Sequence, residues 1–291
     1  MVALFLIGLA GFGAQLVDGS LGMGYGVTSA TLLIAIGLTP VMASASVNMA
    51  QIGTTAVSGF SHGKLGNVDK VVFRRIAIPG SIGAFLGAIF LTQLSTNFAR
   101  PWASTILLLL GVYVLVRYLR QRQMTLRKGR PRTQFLIPLG LAGGFINSTG
   151  GGGWGPVSTP ALLATGRMAP SRVIGTVNAA EFAVTVSATV GFLVAIGFAA
   201  VDFAILVPLM IGGMIAAPFA AWVASKLPMR IMGVAVGGMI ITTNTLTLTN
   251  TFAVAAPVQI ALLVSVVVVW FGLVALVIAQ HRAKQATTLP R

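Results

Sequence analysis

Cysteine is absent from this chain, and acidic side chains nearly so: Asp and Glu number 4 against 19 Lys and Arg. Without cysteine there is no disulfide framework, no thiolate nucleophile and no Cys-ligated metal. Two scattered histidines make no metal cluster, so neither a metal nor a redox cofactor is expected. Charged residues make up 8% of the chain and hydrophobic ones 56%, far from the ~25% charged residues of a soluble domain. Water is not this protein's solvent. The net charge of +15 invites a nucleic-acid partner. The basic residues, however, sit in short joints between apolar segments and form no amphipathic or aromatic-interleaved face, which argues against one.

What the chain does have is apolar sequence from end to end, with a mean hydropathy of +0.94. A helix needs about 20 residues to cross a bilayer. Segments at roughly 43–60, 71–94, 101–119, 172–196, 203–224, 229–248 and 255–279 meet that length and leave no room for a soluble domain. The expected class is an all-α integral membrane protein with a single transmembrane domain over 1–291. The first apolar run has no basic segment before it and no small-residue cleavage site after it, so it is expected to stay in the mature chain.

Two further apolar regions, 2–38 and 134–166, are interrupted by Asp18-Gly-Ser-Leu-Gly-Met-Gly-Tyr-Gly26 and Gly150-Gly-Gly-Gly-Trp-Gly-Pro156. Glycine weakens a helix and proline removes a donor, so each region is expected to be a broken hairpin that enters and leaves on one side. With that assumption, the positive-inside rule puts Lys64, Lys70, Arg74, Arg75, the basic residues from Arg117 to Arg132, Arg167, Arg172, Lys226, Arg230, Arg282, Lys284 and Arg291 in the cytoplasm, and only Arg100 outside. The expectation is a multi-pass protein of the cytoplasmic (inner) membrane, with the 117–132 loop and the C-terminus inside and the N-terminus outside. Trp102 and Tyr118, at opposite ends of one span, suit the interfacial aromatic belts.

The chain also repeats itself. A shift of 129 places Gly22, Gly24, Gly26, Ser29, Leu33 and Gly37 on Gly151, Gly153, Gly155, Ser158, Leu162 and Gly166, and Tyr25 on Trp154. After one inserted residue, Pro40, Val47, Asn48, Ala50 and Thr55 fall on Pro170, Val177, Asn178, Ala180 and Thr185. Further on, Asp69 meets Asp202 and Gly80 meets Gly213. Each unit is a hairpin plus three crossings, so the second copy must be inverted relative to the first. Repeat 1 covers about 1–119, a cytoplasmic basic loop about 120–133, repeat 2 about 134–248, and an extra C-terminal helix about 255–279. Inverted repeats place substrates at the midplane between broken helices whose N-terminal amides face anions. Gly22, Gly24, Tyr25, Gly26, Gly151, Gly152, Gly153 and Trp154 are therefore candidate substrate-binding residues. The competing explanation is close helix packing, which suits Gly83-x-x-x-Gly87 and Gly140-x-x-x-Gly144.

Polar residues inside the spans narrow the choice. Glu181 lies well within an apolar segment, where an ionised side chain costs at least ~2.5 kcal/mol, so it should face the bundle interior as a candidate proton carrier. Asn178 and Thr185 share its helical face, and Ser44, Asn48, Gln51, Thr55 and Ser58 form the matching stripe in the first repeat. Asn48, Gln51 and Asn178 join the candidate substrate contacts, although such stripes also serve to glue helices. Asp18 heads the first break, either as a helix cap or as a second proton-coupling group. Asp69 and Asp202 are expected to cap the helices that follow them. His62 is expected just past a helix end.

Taken together, Gln15 to Gly26, Ala43-Ser-Ala-Ser-Val-Asn48, Ser58-Gly-Phe-Ser-His62, Gly66-Asn-Val-Asp69, Gly150 to Pro156 and Gly175-Thr-Val-Asn-Ala-Ala-Glu181 resemble the TauE/SafE family of sulfite exporters, also called the toluene-sulfonate uptake permease family. The resemblance implies a secondary carrier of sulfite, sulfonates or related organosulfur anions without ATP machinery. It also marks departures: that family commonly has histidine and glutamate where this chain has Asn48 and Gln51, and aspartate where it has Asn147. The expected function is a non-enzymatic transporter, an exporter of a small sulfur-containing oxyanion, working by alternating access with proton coupling as one mode. An anion channel and an intramembrane enzyme using Asp18, His62 and Glu181 are the alternatives.

Overall fold

The computed structural model describes residues 2–21, 23–120, 129–198, 201–226 and 229–288. Among these there are eleven α-helices and no strand. They are α1 (Val2–Leu21), α2 (Tyr25–Ala35), α3 (Pro40–Lys64), α4 (Lys70–Gln93), α5 (Thr96–Arg120), α6 (Thr133–Gly150), α7 (Trp154–Ala164), α8 (Pro170–Ile196), α9 (Phe203–Lys226), α10 (Met229–Thr251) and α11 (Ala256–Thr288). Gly22 and residues 121–128 of the basic loop lie outside the described residues.

Four stretches combine the length and the apolarity to cross a membrane: Lys70–Gln93, Thr96–Arg120, Arg172–Ile196 and Ala256–Ala283. Several apolar helices of this length are the architecture of an integral membrane protein. The seven expected crossings thus differ in kind. Helices α3 and α10, of 25 and 23 residues, have the length, but their hydroxyl and amide side chains lower their apolarity. That polarity is tolerated because Asn48, Gln51, Thr55, Asn244, Thr245 and Thr249 are buried in protein. His62 also differs from expectation. It sits in the last turn of α3, which runs on to Lys64.

Both broken regions are pairs of helices: α1 with the 11-residue α2, and α6 with the 11-residue α7. Each pair is clamped by glycine. On Gly11 a Cβ would overlap the Leu209 carbonyl, and on Gly212 that of Gly8, so α1 and α9 touch backbone to backbone. On Gly83 it would strike Leu141, and on Gly144 the Gly80 carbonyl, which brings α4 against α6 in the same way. The two small-residue motifs of the sequence therefore do pack helices.

The core forms around the two aromatic residues that follow the breaks. One cluster surrounds Tyr25 with Val27, Ala30, Leu33, Val47, Leu107 and Leu209. Another surrounds Trp154 with Val72, Ile76, Leu136, Leu162, Val177 and Val184. Helix α11 remains at the periphery, packed on α10, with Val264, Val268, Phe271 and Leu276 exposed. In an apolar solvent that exposure carries no penalty.

Candidate functional site

Each break is held open by a side chain from the helix before it. Near the end of α1, Asp18 accepts a hydrogen bond from the Tyr25 backbone N–H at 3.1 Å and so caps α2. Near the end of α6, Asn147 Oδ1 accepts from the Gly153 and Trp154 backbone amides, both at 3.2 Å, and caps α7. These helices cannot continue through the breaks: Gly24 has φ 126° and Gly151 has φ 73°, a region that side-chain-bearing residues rarely adopt. The first amides of each short helix have no partner within the helix. Capping therefore claims Tyr25, Gly153 and Trp154, while the Gly26 and Val27 amides lie outside the intrahelical ladder.

The two breaks meet. A Cβ on Gly26 would come within 2.6 Å of Gly152 Cα, and one on Gly152 would overlap the Gly26 carbonyl carbon. A Cβ on Gly151 would run into Ala30. Behind this junction the rings of Tyr25 and Trp154 are enclosed, at 1% and 0% exposure. The Tyr25 hydroxyl donates to the Leu209 carbonyl at 3.3 Å, and Trp154 Nε1 donates to the Val177 carbonyl at 3.0 Å. Both side chains therefore anchor their breaks to a long helix. Gly213 leaves room for the Tyr25 ring, and Gly80 for that of Trp154.

The polar stripes of α3 and α8 face each other beside the junction. Gln51 Nε2 donates to Glu181 Oε1 at 3.1 Å, with both residues buried. Gln51 Oε1 is buried without a hydrogen-bond partner and points at Gly26, where a Cβ would stand 3.5 Å away. Thr55 and Thr185 close their own helical turns by donating to the Gln51 and Glu181 carbonyls at 2.6 and 2.9 Å. Asn178 Nδ2 reaches Ser58 Oγ at 3.2 Å, further along the same seam. Asn48 is fully enclosed: its Oδ1 accepts from Asn147 Nδ2 at 2.8 Å, and its Nδ2 donates to the Ser44 carbonyl at 2.9 Å. Ser44 Oγ in turn donates to the Ser148 carbonyl. Asp18 stands within electrostatic reach of Glu181. Among the described residues no three His, Asp or Glu side chains converge as metal ligands.

Asn147 is the residue that sequence reasoning missed as a contributor to the site. The signal was present, because the same shift of 129 that aligns the glycines places Asp18 on Asn147. His62 is not part of this constellation. It lies eleven residues along α3 from Gln51, about 16 Å at 1.5 Å per residue.

Both predicted caps are present at the far ends. Asp202 Oδ1 accepts from the Ala204 amide at 2.8 Å. Asp69 Oδ1 accepts from Val71 and Val72 at 3.0 and 3.1 Å, its Oδ2 pairs with Arg130 Nε at 2.8 Å, and its own amide donates to Thr176 Oγ1 at 2.9 Å. Burial would push the Asp69 carboxyl up, but the Arg130 guanidinium and the two amides outweigh it and hold the group below the ordinary carboxylate value.

Against known proteins, the family model of the sulfite exporter TauE/SafE matches residues 7–246. A relative, the probable membrane transporter protein YtnM of Bacillus subtilis (strain 168), is 48% identical over 282 residues, covering 96% of this chain and 94% of its own. No solved structure matches.

Proposed function

The chain belongs to the TauE/SafE sulfite exporter family of membrane transporters, and from that premise we propose that it is a secondary carrier exporting a small sulfur-containing oxyanion such as sulfite or an organosulfonate. The anion sits where the two glycine breaks meet. The observation that carries this reading is the junction of Gly26 and Gly152, at which two short helices begin side by side and neither glycine places a side chain between the two backbones. Two helix N-termini directed at one place concentrate partial positive charge, and glycine lets an oxyanion approach the amides. The caps divide the labour. Asp18 brings a carboxylate to the first break, whereas the neutral Asn147 leaves the positive end of α7 uncompensated. The second break, Gly151 to Gly153, is therefore the stronger half of the cradle.

Alternating access between two inverted repeats is the motion we assign to it. Paired features support the inversion: Asp18 and Asn147 cap equivalent helices, Tyr25 and Trp154 fill equivalent recesses at Gly213 and Gly80, and α1 meets α9 as α6 meets α4. Gln51 and Glu181, equivalent positions, meet each other on the dividing line. Glu181 and Asp18 are the candidate proton carriers. The orientation follows the positive-inside rule, with the N-terminus outside and the C-terminus and the 117–132 loop in the cytoplasm. Because the chain has no cysteine, single cysteines introduced at residues 121–128 and near the C-terminus should react with impermeant thiol reagents in inverted vesicles but not in intact cells.

The decisive assay is flux in proteoliposomes with sulfite, thiosulfate, sulfoacetate and sulfate under imposed ion gradients. At least one sulfur oxyanion should move, and Asn178→Ala should slow it. Failure of every anion under every gradient would remove the reading. An intramembrane enzyme is disfavoured by the distance of His62 from Glu181.

A further inference from the structure

We infer that the Gln51 side-chain amide is a proton-operated polarity switch, which turns an acceptor toward the anion cradle when Glu181 is ionised and a donor when Glu181 is protonated. The inference rests on the transport reading above and concerns how proton and anion are linked at that site.

An ionised carboxylate is acceptor-only, so a buried glutamine beside it must offer its NH2 group. Gln51 does so through the 3.1 Å bond from Nε2 to Glu181 Oε1. The amide is planar, so this bond forces Oε1 to the opposite side. There it finds no donor and faces Gly26, where the Gly152 backbone packs in the place of a side chain. A buried carbonyl oxygen without a donor is costly. Its lone pairs also point toward the place proposed for an anion. In this state the cradle repels its ligand.

Protonation reverses the requirement. A proton taken up by the Glu181 carboxylate makes one of its oxygens an O–H donor. The amide then turns over about the Cγ–Cδ bond: Oε1 accepts from the Glu181 O–H, and Nε2, now released, points at the Gly26–Gly152 junction. No other group need move. The Gln51 backbone carbonyl stays tied to Thr55 and α3 remains a helix. An oxyanion in the cradle satisfies the exposed NH2, so anion and proton bind together and each raises the affinity of the other. Asp18, near the end of α1, is the ionisable group within electrostatic reach of Glu181. Helices α6 and α7 carry no ionisable side chain. On α4, Arg74 and Arg75 are exposed rather than on the Val72 and Ile76 face that packs against α8, and on α3, His62 and Lys64 lie in the last turn.

Binding of radiolabelled thiosulfate to the purified full-length protein in detergent tests the switch, because the charge of thiosulfate is constant from mildly acidic to mildly alkaline pH. In wild type the dissociation constant should rise roughly tenfold per pH unit once Glu181 ionises, the signature of one linked proton. Gln51→Leu, apolar and without an amide, should bind with much less pH dependence although Glu181 is retained. Glu181→Gln should bind independently of pH, and it keeps the outcome readable if the leucine variant does not fold. A full slope in Gln51→Leu or Glu181→Gln overturns the switch. Thiosulfate binding by wild type that does not vary with pH overturns the switch but leaves transport standing. No flux of any sulfur oxyanion in the proteoliposome assay overturns both.

Discussion

Replacing Asn147 by alanine should destabilise this protein far more than the loss of an ordinary helix cap. The side chain is fully enclosed and makes three hydrogen bonds: it accepts from the Gly153 and Trp154 amides and donates to Asn48 Oδ1. Truncation leaves two amides and one amide oxygen without partners at a place bulk water does not reach. Each orphaned group costs about 1–3 kcal/mol, and the break can relax only slightly because Gly151 and Gly152 already touch Ala30 and Gly26. A loss of about 3–5 kcal/mol is expected, whereas removal of an N-cap alone costs about 0.5–2 kcal/mol. Unfolding in mixed micelles, titrated with sodium dodecyl sulfate and followed by tryptophan fluorescence, measures the difference. Asn48→Ala and the double variant complete a cycle, in which a coupling of about 1–2 kcal/mol is expected for directly bonded partners. A loss below about 1 kcal/mol for Asn147→Ala, with no coupling to Asn48, would refute the argument that this amide holds the second break together.

Other consequences can be checked in the same preparation. Gly144→Ala drives a methyl into the Gly80 carbonyl and should lower stability by about 1–3 kcal/mol or more, whereas Gly13→Ala, which meets no atom within 4 Å, should be neutral or slightly stabilising in the same titration. Tyr25→Phe removes one hydrogen bond to Leu209 and should cost about 0.5–1.5 kcal/mol without altering the recess at Gly213. Asp69 has a folded-state pKa below its ordinary value of 3.8, so its stabilising contribution is complete at neutral pH and declines as pH falls from about 4 through the folded value. Because Arg130 is largely exposed, that contribution is on the order of 1 kcal/mol, and Asp69→Asn should flatten the acid limb of the melting curve measured against pH.

Much of the fold was legible in the sequence because the membrane imposes a simple code. Length and apolarity mark the helices, and every expected span and both broken hairpins coincide with helices in the structure. The breaks were visible because glycine and proline act locally. The cap roles of Asp69 and Asp202 were visible for the same reason. Gln51 and Glu181 could be singled out as polar residues in apolar surroundings, and the internal repeat even paired them. What the repeat did not reveal is that equivalent positions lie in contact, since alignment says which residues correspond and not which ones touch.

The sequence by itself determined the solvent, the helices, the two breaks and the polar stripes, all properties written within about one helical turn or one bilayer crossing. Only the tertiary structure decided that the breaks abut at Gly26 and Gly152, that Tyr25 and Trp154 turn into the protein as anchors, and that Asn147 ties α7 to Asn48. It also decided which end of the Gln51 amide faces the junction. These features depend on side chains from elements up to 184 residues apart in the chain competing for the same few donors and acceptors. In a membrane interior no water supplies the missing partner, so that competition selects a single arrangement.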